Sequence, residues 1–197
     1  VHAWDVDYAS FSAHKLYGPT GIGVLYIQPD LADKLPPYML GGGMVHRVGD
    51  NFEETTWAPA PARFEAGTPP IIEAVGLHAA VDFVSAIGFE KIIAHEKELT
   101  LKLLEALHGV KGIQLYGAPK NRIGVVAFNV RDFHPHDVGS ILSAQGIAVR
   151  VGHHCAQPLM KALGIQGCVR ASLGVYNTPE DIEALVHGLD LVAKKLS

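Results

Sequence analysis

The rhythm of apolar and polar positions divides this chain into two unlike parts. Residues 1–12 read as a strand running into a loop, and residues 24–27 as a second short strand after the turn residues Gly18-Pro19-Thr20-Gly21. Residues 29–35 have room for one or two helical turns. From Gly41-Gly42-Gly43 to Gly67 the periodicity fades, which predicts a long loop, and loops of that length in compact domains usually carry function. Thr68-Pro69-Pro70 predicts a helix start with Thr68 as its cap. Ile72, Val75, Ala79, Ala80 and Phe83 follow at helical spacing.

Gly88 marks a boundary, giving a first domain over residues 1–88 and a second over 89–197. Residues 89–108 predict a helix with Ile92, Ile93, Leu99, Leu103, Leu104 and Leu107 on its apolar face. Strands are predicted at 113–116, 124–129, 147–151 and 168–173. Helices are predicted at 135–145, with Val138, Ile141 and Leu142 inward, and at 158–163. The last helix has the clearest start: Thr178 caps, Pro179 opens the first turn and Asp181 completes a capping-box pattern ahead of Ile182, Leu185, Val186, Leu189 and Val192. Alternating strands and helices place the chain in the α/β or α+β class with two lobes.

Composition narrows the function classes. The 197 residues are 48% hydrophobic, enough for a real core, and carry a net charge of −4 with no Lys/Arg cluster, which argues against nucleic acid as a partner. No apolar run is long enough to span a bilayer as a helix, so no membrane partner is expected. Two cysteines make no disulfide framework, and the expected compartment is the reducing cytoplasm.

Three places hold candidate chemistry. Lys15 follows Ser12-Ala13-His14, and Ser12 and His14 can donate hydrogen bonds to an anion. A lysine amine attacks carbonyls only when neutral, so Lys15 is either an imine-forming lysine or a solvated loop lysine. Cys155 sits in Arg150-Val151-Gly152-His153-His154-Cys155-Ala156, where cationic neighbours favour a reactive thiolate, the alternative being a small buried hydrophobe. Cys168 reads as core packing, yet Arg170 shares its side in any regular strand. Arg170 suits bidentate capture of a carboxylate or an ordinary surface salt bridge. His153, His154 and Cys155 are adjacent and lack a second ligand pair at zinc spacing, so no metal is expected.

The segments FSAHKLYGPTGIGVLY, PPYMLGGGM, TTWAPAPARFEAGTP, HPHDVGSIL, IAVRVGHHCAQPLM and CVRASLGVYNT resemble, in order and over nearly the whole chain, the group II cysteine desulfurases and selenocysteine lyases. The RVGHHCA run points to the group II branch, while the lysine segment alone indicates only the wider class V aminotransferase fold. The resemblance implies a fold type I, pyridoxal 5'-phosphate-dependent enzyme, here a remnant of its large domain followed by a complete small α+β domain. By the same resemblance Lys15 holds the cofactor and moves the substrate proton, Ser12 and His14 bind its phosphate, and Thr68 reaches the cofactor phosphate of the other subunit in a homodimer. Cys155 takes the sulfur as a persulfide, Arg170 binds the substrate carboxylate, and Arg150 is an active-site arginine without a defined role. The implied substrate is L-cysteine or L-selenocysteine, and the implied partner a sulfur-acceptor protein, in iron–sulfur cluster or other cofactor assembly.

Val151 stands where many relatives carry threonine. Relatives run to about twice this length. The groups that stack on the pyridine ring and pair with its nitrogen are expected before Val1, so the 197 residues alone are expected to lack normal cofactor affinity and turnover. Rival readings are a selenocysteine lyase, a kynureninase-like or epimerase-like enzyme that needs no thiol, and a non-catalytic module that docks a sulfur acceptor.

Overall fold

Residues 2–117, 122–131 and 133–196 are described in the computed structural model, so Val1, where the predicted first strand begins, lies outside the described residues. The chain forms two compact units, Val1–Ile87 and Gly88–Ser197.

The first unit is built on a hairpin. Strand β1 (Tyr8–Ser12) pairs antiparallel with β2 (Gly23–Ile27), ending at Ser12↔Gly23. The first strand is shorter than the pattern predicts, because residues 2–4 form a 3-10 turn and Asp5 has a φ of 50°, which breaks extension. A short helix α1 (Pro29–Ala32) follows β2. The long polar stretch is not structureless: β3 (Val45–Arg47) pairs with β4 (Thr56–Trp57). These strands of three and two residues are too short to show alternation. Asn51 closes their loop, its Oδ1 accepting from the Glu54 N–H at 3.0 Å and its carbonyl from Thr55 Oγ1 at 2.9 Å.

Helix α2 (Ile71–Ile87) begins three residues after Thr68, and Thr68 does not cap it. Thr68 and Pro69 each precede a proline, which pushes both away from helical backbone, and the first turn is instead received by the Pro70 carbonyl, 2.9 Å from the Ala74 N–H. The buried face is Leu77, Ala80 and Val84, so of the predicted positions Ala80 is buried while Ile72, Val75, Ala79 and Phe83 are exposed. The helix is apolar nearly all round, so spacing alone does not single out one face.

In the second unit helix α3 (Phe89–Gly109) leads to β5 (Ile113–Tyr116), β6 (Val125–Val130), α4 (Pro135–Ser143), β7 (Arg150–Gly152), α5 (Gln157–Ala162), β8 (Cys168–Ser172) and α6 (Pro179–Leu196). The sheet is antiparallel in the order β5-β6-β8-β7. One face is the core: Leu115, Phe128, Val169 and Val151 lie in register across all four strands, and Val126 pairs with Ala171 beside them. Leu99, Leu103 and Leu107 of α3, Val138 and Leu142 of α4, and Ile182, Leu185, Leu189 and Val192 of α6 close over that face. Each such side chain taken from water stabilises by about 1.5–3 kcal/mol.

The strand predicted over 147–151 starts later, at Arg150. Helix α4 ends in a Schellman motif: Gly146, with φ of 76°, donates to the Ser143 carbonyl, and the Ile147 N–H donates to the Leu142 carbonyl at 3.0 Å. Ile147 is therefore spent on the helix end and packs inward. Among the described residues no single helix is long and apolar enough to cross a membrane.

The start of α6 follows the capping pattern, with the Thr178 N–H donating to Asp181 Oδ2 at 3.0 Å and Asn177 Nδ2 donating to the same oxygen at 3.0 Å. The Asn177 amide, and then the Thr178 N–H, hold the Asp181 carboxyl below its ordinary range. A carboxyl depressed in the folded state stabilises above its unfolded value of about 3.9, and that contribution is lost as pH falls through the folded value. Asp181→Asn should lower stability at neutral pH and flatten this acid-side decline, read by urea denaturation across the acidic range. An unchanged acid-side slope would contradict the assignment.

Candidate active site

The pleat that buries Val169 and Ala171 turns Cys168 and Arg170 to the opposite face of the sheet. This resolves the sequence conflict over these two residues, since the strand is regular and both side chains share the second face. Cys168 is buried there, and that burial raises its thiol pKa while the Arg170 charge partly counters it.

Register sets the neighbours on this polar face. Tyr116, Ala127, Arg170 and Arg150 form one row across β5, β6, β8 and β7. Arg150 and Arg170 are directly paired across the β7–β8 ladder, although like charges in that position repel. Among the described residues neither forms a salt bridge, and Arg170 Nε is buried without a hydrogen-bond partner. Two arginines paired in this way, one with an unspent donor, have the chemistry to bind an anion.

The β6–β8 ladder stops at Phe128↔Val169, and side chains take over beyond it. Asn129 Nδ2 donates to the Gly167 carbonyl at 3.0 Å, and His154 Nε2 lies 2.9 Å from the Cys168 carbonyl. The chain leaving β7 folds back in a turn from His153 to Ala156, closed by the Ala156 N–H on the His153 carbonyl at 2.9 Å. Both central residues, His154 and Cys155, have left-handed φ values of 55° and 59°. That is the type I′ pattern, normally made by Asn and Gly. Held this way, each costs roughly 1–3 kcal/mol. Cys155 is exposed at the tip, with its Sγ 3.7 Å from Arg150 Nη2, which donates to it.

Two glycines permit this packing. Gly152 has a φ of 105°, and a Cβ on Gly167 would meet the Gly152 backbone at 3.2–3.3 Å. Sequence reasoning placed both histidines with the thiol, but His154 turns inward to β8, and burial lowers its pKa, followed by the nearby charges of Arg170 and Arg150, against the raising effect of the Cys168 carbonyl. The inward turn of His154 and the role of Asn129 have no signature in the linear sequence.

In the first unit Lys15 ends a 3-10 turn, Ala13–Lys15, directly after β1. Ala13 is fully buried, and its carbonyl accepts from the Leu16 N–H at 2.8 Å and the Gly18 N–H at 3.0 Å, so the lysine's backbone is fixed. Lys15 and Ser12 line a cavity of about 580 Å³ with Ser10, Phe11, Gly23, Val24 and Leu25. Its donor set is two serine hydroxyls and an amine with no carboxylate, which fits a phosphate-bearing carbonyl compound. His14 is exposed and does not line this cavity. Thr68 lines a different one, of about 720 Å³, between Ile22-Gly23 and the start of α2. Among the described residues no three metal-ligating side chains cluster.

The aminotransferase class-V family model matches residues 1–185. The chain belongs to that family. A probable cysteine desulfurase from Staphylococcus epidermidis is 49% identical over 186 residues, 94% of this chain and 45% of that protein. The cysteine desulfurase CsdA from Escherichia coli superposes with a TM-score of 0.91 at 37% identity, over 99% of this chain and 48% of that one. The apo cysteine desulfurase from Thermococcus onnurineus gives 0.89 at 42%, over 96% and 48%. The fold is that of the pyridoxal-phosphate-dependent aminotransferase class, and the chain spans about half the length of the relatives it matches.

Gly167→Ala should cost about 1–3 kcal/mol, because the added methyl meets backbone that cannot swing away. Urea titration measures the loss, and alkylation of the buried Cys168 under native conditions reports separation of β7 from β8. A variant as stable and as protected as the parent would show that the two strands do not approach this closely.

Proposed function

We propose that these residues serve a pyridoxal-phosphate-dependent cysteine desulfurase that converts L-cysteine to L-alanine and leaves the sulfur on Cys155 as a persulfide. The observation that carries this reading is the Arg150–Arg170 pair with the exposed Cys155 thiol 3.7 Å from Arg150 Nη2. The names of the relatives and the donor set around Lys15 support it.

When bound, the cofactor supplies an electron sink for the substrate's α-carbon. Lys15 is the amine that holds its aldehyde carbon and moves the proton at the substrate Cα. Ser12 would donate a hydrogen bond to its phosphate, a role that His14, outside this cavity, does not share here, and Thr68 would serve the phosphate of a second subunit. Arg170 grips the substrate carboxylate through its Nε and outer nitrogens. Arg150 holds the Cys155 sulfur through its Nη2 donor at 3.7 Å. The thiolate then attacks the substrate sulfur: a new S–S bond forms, the substrate's Cβ–S bond breaks with its electron pair left on carbon, and a proton there completes alanine. The persulfide sits on an exposed turn, where a sulfur-acceptor protein can reach it.

The test uses a protein of the relatives' length that contains this chain. Cys155→Ala should abolish alanine release from L-cysteine. Arg170→Ala should raise KM about 10–100-fold, as expected for a hydrogen-bonded charge contact of about 1.5–3 kcal/mol. Unimpaired turnover in Cys155→Ala would overturn the reading and favour a thiol-independent enzyme of the same fold. Release from L-selenocysteine but not from L-cysteine would make it a selenocysteine lyase.

A further inference from the structure

The turn that carries Cys155 is an unlikely turn for its sequence. Its two central positions are left-handed, a conformation dominated by Gly, Asn and Asp, yet they hold His154 and Cys155. The compensation is visible in His154. A carbonyl oxygen only accepts, so the 2.9 Å contact with Cys168 makes His154 Nε2 the N–H donor. Its Nδ1 is buried with no partner. In the neutral ring Nδ1 is a bare acceptor, whereas a second proton would create a buried, unpaired N–H.

Resting on the reading of Cys155 as the sulfur-accepting thiol, we propose that His154 is its positioning residue. As a neutral imidazole it ties the His153–Ala156 turn to the Cys168 carbonyl and so keeps the thiol beside Arg150. It is neither the base that deprotonates Cys155 nor a cation that stabilises the thiolate. Charged and titratable groups face it from every side: Arg170 and Cys168 on β8, Arg150 on β7, and His153 in the loop. The arginines, and His153 when protonated, disfavour a second proton, and so does burial. Among the described residues Arg150 is the cation in contact with the thiol.

The test follows the rate of iodoacetamide alkylation at pH 7 in the intact protein, with mass spectrometry resolving Cys155 from the buried Cys168. Arg150→Ala should lower the Cys155 rate about threefold, the scale of an exposed ion pair. His154→Ala should lower it equally, and the double variant should show no further loss, because both changes remove one contact. His154→Gln, whose side-chain N–H reaches a similar distance, should restore the parent rate, while His154→Gly, which relieves only the backbone, should not. Additive losses in the double variant would show that His154 acts on the thiol directly and overturn the proposal. Full rescue by His154→Gly would also overturn it. Should His154→Ala lose its fold, seen as Cys168 reacting as fast as Cys155, nitrogen NMR of the parent decides. A neutral Nε2–H ring at pH 7 and above sustains the proposal, and a charged ring or an Nδ1–H tautomer there defeats it. None of these measurements uses turnover, so failure here is separate from failure of the desulfurase reading.

Discussion

Strand β8 sends alternate side chains to opposite faces of its sheet, and that alternation couples the core to the chemistry. Val169 and Ala171 lie under α3, α4 and α6, while Cys168 and Arg170 face the other way. A slip of one residue would carry Arg170 into an apolar core and expose the valine, so register is held by the full burial of Phe128 and Val169. The position of Arg170 is therefore a consequence of hydrophobic packing. The same register brings Arg150 opposite Arg170 without any attraction between them. Core burial, worth several side chains of about 1.5–3 kcal/mol each, outweighs the repulsion of one solvent-facing like-charge pair.

Beyond the end of that ladder the structure changes method. Strand pairing gives way to side chains that answer single carbonyls, Asn129 at Gly167 and His154 at Cys168. Such contacts contribute about 0.5–1.5 kcal/mol each, comparable with the cost of a left-handed residue. The Cys155 turn is tied to the sheet by a local bond from His154.

Much of this was legible in the sequence, for identifiable reasons. Helices α3, α4 and α6 carry clear apolar stripes, and the α6 cap is written in Thr178-Pro179-Glu180-Asp181. The Lys15 and Cys155 segments stood out because reactive side chains there are flanked by groups with complementary chemistry. Other features depend on distant partners. The β3–β4 pair is too short to have a rhythm, and α2 is too uniformly apolar to reveal its buried side. The inward turn of His154 is set by a carbonyl fourteen residues away, so the run His153-His154-Cys155 looks like one cluster in sequence and divides in space. Thr68 looked like a cap because it is a good capping residue, but the prolines after it govern the backbone.

Lys15 and Cys155 are held in unequal ways. The Cys155 turn leans on a sheet whose far face is fully packed, whereas Lys15 follows a two-stranded hairpin, an element that is marginal by itself. Phe11 and Leu25 beside it are about half exposed, at 48% and 59%. The backbone of Lys15 is nonetheless fixed, because the carbonyl of buried Ala13 accepts from the Leu16 and Gly18 N–H groups, so local hydrogen bonds hold the lysine where strand packing does not.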